Sequence, residues 1–148
     1  MAIHWLLRIG DGDHFASSSK MNIWGVNSKT SGSSFVKEAK QNDILWFVKG
    51  KSKGQVIAVA TLDRFVKREL GPLINLTHTN EELGWTKQYG DWDYEVHFTN
   101  MYNIESCSLL TEIKSPLVIR KYDSEKCKVN LPLEYQYIVK YVGVANKI

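Results

Sequence analysis

Apolar residues along this chain come in short runs separated by clusters of Gly, Ser, Asn and Asp, a pattern that predicts short strands and brief connections. The first run, His4-Trp5-Leu6-Leu7-Arg8-Ile9, ends at Gly10-Asp11-Gly12-Asp13 and predicts a strand entering a loop. Between Ser17 and Lys29 lie a serine triplet and the pair Ile23-Trp24, with neither a helical nor a strand period. This predicts a long connection with Trp24 on or beside it, where binding residues concentrate. Ser33 or Ser34 can cap a short helix running to about Lys40, with Phe35, Val36 and Ala39 on one face. Asp43 to Lys49 and Gln55 to Leu62 are β-rich runs around the polar turn Gly50-Lys51-Ser52-Lys53-Gly54, and they predict a hairpin.

Further on, Gly71-Pro72 breaks the chain, and Thr79-x-x-Glu82 fits a capping box for one helical turn that Gly84 stops before Trp85. Trp92 to Phe98, Leu109 to Ile113 and Leu117 to Arg120 read as strands. Leu133 to Val142 suits either class. Pro132 ahead of it and Tyr135, Ile138, Val139 and Val142 at helical spacing favour a helix, whereas its β-branched and aromatic content favours a strand; a helix is the expectation. Many short strands and few short helices imply an α+β domain built on a curved mixed sheet or small barrel.

Composition narrows this picture. With 148 residues, 43% hydrophobic and 24% charged, the chain suits one folded domain spanning 1–148, and a monomer is expected. A net charge of +3 is compatible with a polyanionic partner without demonstrating one. Cys107 and Cys127 lack metal-ligand spacing, so free thiols in a reducing compartment are expected, with a disulfide as the alternative. The start of the chain has no signal-peptide pattern and no run reaches the roughly 18 apolar residues of a membrane span, so a soluble intracellular protein, cytoplasmic or nuclear, is expected. There is no GxGxxG, P-loop, GxSxG or HExxH; His4, His14, His78 and His97 are scattered; and Glu81-Glu82 and Asp91/Asp93 read as helix-start charge and surface. No metal, no cofactor and no catalysis are expected.

Several segments in order carry a resemblance. Trp5-Leu6-Leu7-Arg8, then Lys20-Met21-Asn22-Ile23-Trp24 with Gly25 after it, then Leu45 to Ala60, resemble the YTH domain, a member of the PUA-like superfamily that also includes the EVE domain. Asp91-Trp92-Asp93 and Val118-Ile119-Arg120-Lys121 look like later YTH segments, and Cys127 to Glu134 resembles the end of EVE domains. The resemblance implies a PUA-like mixed β-barrel of about six strands flanked by short helices, with aromatic side chains enclosing one flipped base. In YTH domains that base is N6-methyladenine in RNA; EVE domains are associated with modified bases in DNA. The loop after the first strand carries Gly10, Asp11, Gly12, Asp13 and His14 where YTH domains use asparagines, and no aromatic stands between Pro72 and Leu76, where their second cage tryptophan would fall. The resemblance therefore implies RNA or flipped-base DNA as partner and leaves the modification open.

A base taken out of its stack regains about 1–3 kcal/mol on an aromatic plane, and Trp24 is the candidate. The ring is then expected to lie open at the bottom of a cavity. Trp85 beside Gly84 is the preferred second wall and Trp92 the other, while Trp5 and Trp46 suit the core. Asp11 or Asp13 can accept from an exocyclic amine, and Asn22 and His14 can bond a base edge; all four suit a solvated loop equally. Arg8, Lys20, Lys49, Lys51, Lys53, Arg120 and Lys121 are the phosphate candidates, with Arg8 and Arg120 favoured by the resemblance. Two alternatives stand beside a base reader: an ASCH-type nucleoside or RNA hydrolase on the same fold, using Lys20 with Asp11, and a protein-interaction module.

Overall fold

The computed structural model describes residues 2–9, 13–26, 28, 33–49, 55–68, 93–108, 120–125 and 127–138. Among them are seven strands, β1 (His4–Arg8), β2 (Ile23–Val26), β3 (Ile44–Lys49), β4 (Gln55–Lys67), β5 (Tyr94–Ser108), β6 (Arg120–Lys121) and β7 (Tyr137–Ile138). Two short helices, α1 (Asp13–Ser18) and α2 (Ser33–Glu38), and 3-10 turns at Ser19–Met21 and Leu133–Tyr135 complete the elements. The main sheet runs β1-β3-β4-β5-β2, parallel between β1 and β3 and antiparallel elsewhere; β6 and β7 pair separately. The sheet is a curled half-barrel, an α+β arrangement. Its curl appears in the core, where Trp5 and Leu7 of one edge strand share a cluster with Trp24 and Val26 of the other.

Strand alternation divides the side chains between two faces. Face one holds Trp5, Leu7, Leu45, Phe47, Ala60, Val96 and Phe98, closed over by Phe15 of α1 and Phe35 of α2. Face two holds Leu6, Ile44, Trp46, Val48, Val59 and Ile104, covered by Cys127, Leu131 and Tyr135 of the C-terminal segment. Burying a side chain of this size stabilises by about 1.5–3 kcal/mol, so each face anchors its own cover. The Tyr135 hydroxyl meets Thr61 Oγ1 at 2.6 Å; burial raises this phenol above its ordinary value, against the opposing effect of that bond.

Asp43 ties β1 to β3. Its carboxylate accepts from the Ile3 amide at 3.0 Å, the Trp5 indole at 2.9 Å and the Lys40 amide at 3.0 Å. Asn42 before it has φ 76°, a left-handed turn that Asn tolerates, and its amide donates to Leu62 O, bringing the α2–β3 connection against β4.

The predicted first strand, the hairpin strands and the helix after Ser33 are present, and three expectations are corrected. Trp24 lies within β2, paired with Val96, so it stands beside the turn that ends at Asn22 and not on a connection; all four residues of β2 are buried, so no polar alternation marked the strand. Within Leu133 to Ile138 the chain makes a 3-10 turn and then β7, not a helix, because Tyr135 anchors in face two and Tyr137 and Ile138 pair with β6. Cys127 is disulfide-bonded rather than a free thiol, and the chain's other cysteine is Cys107. The bond adds a covalent tie to a segment that the face-two cluster and the Tyr135–Thr61 hydrogen bond also hold, and such bonds persist in oxidising surroundings, so the expectation of a reducing compartment loses its basis. The Gly50–Gly54 turn, the Thr79–Gly84 turn and the run Leu109 to Ile113 lie outside the described residues. No helix among the described residues is long and apolar enough to cross a membrane.

Candidate functional site

The helix-covered face ends at β2, and its polar groups set it apart. Trp24 is 1% exposed, with the Phe15 ring edge-on at 5.7 Å; Phe15 in turn lies 4.5 Å from Phe47. The expectation of an open Trp24 ring is therefore not met. Strand pairing with β5 places the indole on the apolar face, and α1 closes over it. Its Nε1 is nonetheless buried with no hydrogen-bond partner. Ser18, the last residue of α1, is 0% exposed, and its hydroxyl also lacks a partner. It stands at the N-cap of the 3-10 turn without making the side-chain cap bond that a serine there usually supplies. The turn ends at Asn22 in the left-handed region, φ 57°, and the Asn22 carbonyl accepts from the Phe98 amide, which sets β2 against β5.

The structure divides the other candidates. Gly25 is the neighbour of Trp24 in β2 and stands across from Glu95, so it belongs to the opposite face of the sheet. Arg8 likewise alternates with Leu7 and lies across from Val48, which places it on face two; its Nε is buried and unpartnered there. Asn22 and Lys20 are exposed on the turn between α1 and β2. Of Asp13, His14, Arg120 and Lys121 the structure describes the backbone, in α1 and β6. Asp11, Lys51, Lys53, Trp85 and Trp92 lie outside the described residues.

On the reverse side of β5 stands a charged group that sequence reasoning did not single out. Glu95, 0% exposed, accepts from or donates to His97 Nε2 at 2.8 Å through Oε1, depending on which group carries the proton, and its Oε2 lies 3.6 Å from Arg68 Nε. Desolvation lowers the Arg68 pKa from its ordinary value, and the Glu95 charge opposes that shift. Next along the same face, Asp93 accepts from the Ser28 amide at 2.8 Å and from the Ser28 hydroxyl. The available signal was alternation: in Asp93-Tyr94-Glu95-Val96-His97-Phe98 the polar residues fall two apart, on one side of a strand. Chemically, Glu95 fixes one ring nitrogen of His97 and leaves the other to serve as donor or acceptor. No group of three His, Cys, Asp or Glu able to hold a metal occurs among the described residues.

No protein-family model matches the chain, and no curated protein matches it.

Proposed function

We propose that this chain is a non-catalytic nucleic-acid reader of the PUA-like, YTH/EVE type, which takes one flipped, modified base of RNA or DNA at the α1–β2 end of the helix-covered face. One observation carries the reading. Trp5 and Trp46 each hydrogen-bond their indole nitrogen, to Asp43 and to His4, whereas the equally buried Trp24 leaves its nitrogen unmatched. A buried donor without a partner costs about 1–3 kcal/mol, and a ligand acceptor would recover it. In this reading the base meets the N–H edge of Trp24, with Phe15 giving way or forming a wall, and does not lie on an open indole face. Lys20, exposed on the adjoining turn, is the phosphate contact; Arg8, on the other face, is not.

The test is a fluorescence titration of methylated and unmodified RNA and DNA oligonucleotides with wild type and Trp24→Phe, which keeps an aromatic ring and loses the donor. The wild type is expected to prefer one modified form, and the variant to bind it about ten-fold more weakly, the equivalent of one hydrogen bond. A wild type that binds none of the probes, or a variant that binds equally well, overturns the reading. In place of the Lys20–Asp11 pair of the ASCH-type alternative, of which Asp11 lies outside the described residues, a hydrolase reading draws on His97, held by Glu95, and predicts release of nucleoside or cleaved strand from the same mixtures.

A further inference from the structure

Resting on the reading above, we propose that Ser18 is the second polar contact of the same site and reads the group beside the acceptor that Trp24 engages. Ser18 and Phe15 are three residues apart in α1, hence on one helical face, and Phe15 is the residue that touches Trp24. The helix itself packs against β2. Ser18 is fully buried, yet its hydroxyl bonds neither to the backbone, as serines in helices commonly do, nor to the turn it precedes. Two unmatched polar atoms thus come from one helix–strand junction, beside an exposed lysine.

Their chemistry is complementary to a base edge. The indole N–H can only donate, so it requires an acceptor; a hydroxyl can donate or accept. Three of the bases have an edge that sets a ring-nitrogen acceptor next to an exocyclic amine or carbonyl: N7 beside N6 in adenine, N7 beside O6 in guanine, and N3 beside N4 in cytosine. Ser18 accepts from the amine or donates to the carbonyl, and a methyl group on the amine removes one of the hydrogens available to it. Ser18 would therefore govern which base and which modification is preferred, while Trp24 sets how tightly any base that presents an acceptor is held.

The experiment uses the full chain with single-stranded RNA and DNA nonamers carrying one N6-methyladenine, one 5-methylcytosine or no modification, titrated against wild type, Ser18→Ala, Ser18→Cys and Trp24→Phe. Thermal unfolding is recorded for each variant. For the probe that wild type binds most tightly, Ser18→Ala is expected to bind about ten-fold more weakly, and the preference for N6-methyladenine over unmodified adenine is expected to widen, because the unmodified amine is the one that offers Ser18 the extra hydrogen, with Ser18→Cys intermediate. Both should unfold at or above the wild-type temperature, since the hydroxyl has no partner to lose. If Trp24→Phe weakens binding and Ser18→Ala does not, the role of Ser18 is wrong and the reader stands. If wild type binds no probe, the reader itself is wrong and the inference falls with it. If Ser18→Ala unfolds markedly earlier, the hydroxyl is bonded in the free protein and the inference is wrong.

Discussion

Two ends of one sheet bury tryptophan in opposite ways. At the β1–β3 end, the Asp43 carboxylate accepts from the Trp5 indole and two backbone amides, while the His4 ring lies nearly parallel to that of Trp46, centroids 6.1 Å apart, and its Nδ1 accepts from the Trp46 indole N–H at 2.9 Å. At the α1–β2 end, Trp24 and Ser18 are as deeply buried and have no such partners. The first end spends both its indole nitrogens on holding the fold together, although Arg8 Nε on β1 stays unpartnered. The second leaves the Trp24 nitrogen and the Ser18 hydroxyl unspent, which lowers stability locally and keeps hydrogen-bonding capacity in hand.

The largest expected effect comes from breaking the satisfied end. Asp43→Ala should destabilise by on the order of 3 kcal/mol or more in urea unfolding, because it strands a buried indole donor and two amides at once. A loss under about 1 kcal/mol would mean that Asp43 is not the hub described here. Next is His4→Ala, which strands the Trp46 nitrogen and should cost about 1–3 kcal/mol by the same measurement. The smallest and sharpest effect is a difference between two equal truncations. Trp46→Phe removes a made bond and Trp24→Phe an unmade one, so Trp46→Phe should be the more destabilising by about 1 kcal/mol or more. Equal losses would erase the contrast between the two ends.

The sequence was legible where periodicity and side-chain class agreed. Leu45 to Val48 and Val56 to Ala60 announced two strands through β-branched and aromatic runs, and Ser33 with Phe35 announced α2. β4 continues to Lys67 beyond the expected end at Leu62, since Asp63 and Arg64 sit partly in solvent and extend the ladder with β5 without an apolar signal. α1 escaped notice because six residues with Phe15 as their one large apolar side chain carry no readable period. Of the candidate site, Trp24 stands out in the sequence through its place beside a polar stretch and in the YTH-like segment Lys20 to Trp24. What distinguishes it, an unmatched nitrogen inside a packed core, depends on the absence of a partner in space. Ser18 is hidden for the same reason, and Glu95 with His97 is hidden because the carboxylate belongs to no motif and the four histidines are scattered.

The position of β2 also bears on how the molecule opens. Its four residues end the order of the main sheet, paired to β5 alone among the described strands, and its partners lie about seventy positions away along the chain, Ile23 with His97 and Val26 with Tyr94. Contacts so distant in sequence form slowly, because the closure entropy of the long intervening chain has to be met first. An edge strand of this length, capped by a one-and-a-half-turn helix with unmet polar groups, detaches at lower cost than the β1–β3–β4 body and does so by sub-global opening. Amide hydrogen exchange should accordingly reach Trp24 and Val26 before Leu45 and Phe47, giving a buried indole edge an intermittent route to solvent while the rest of the sheet stays closed.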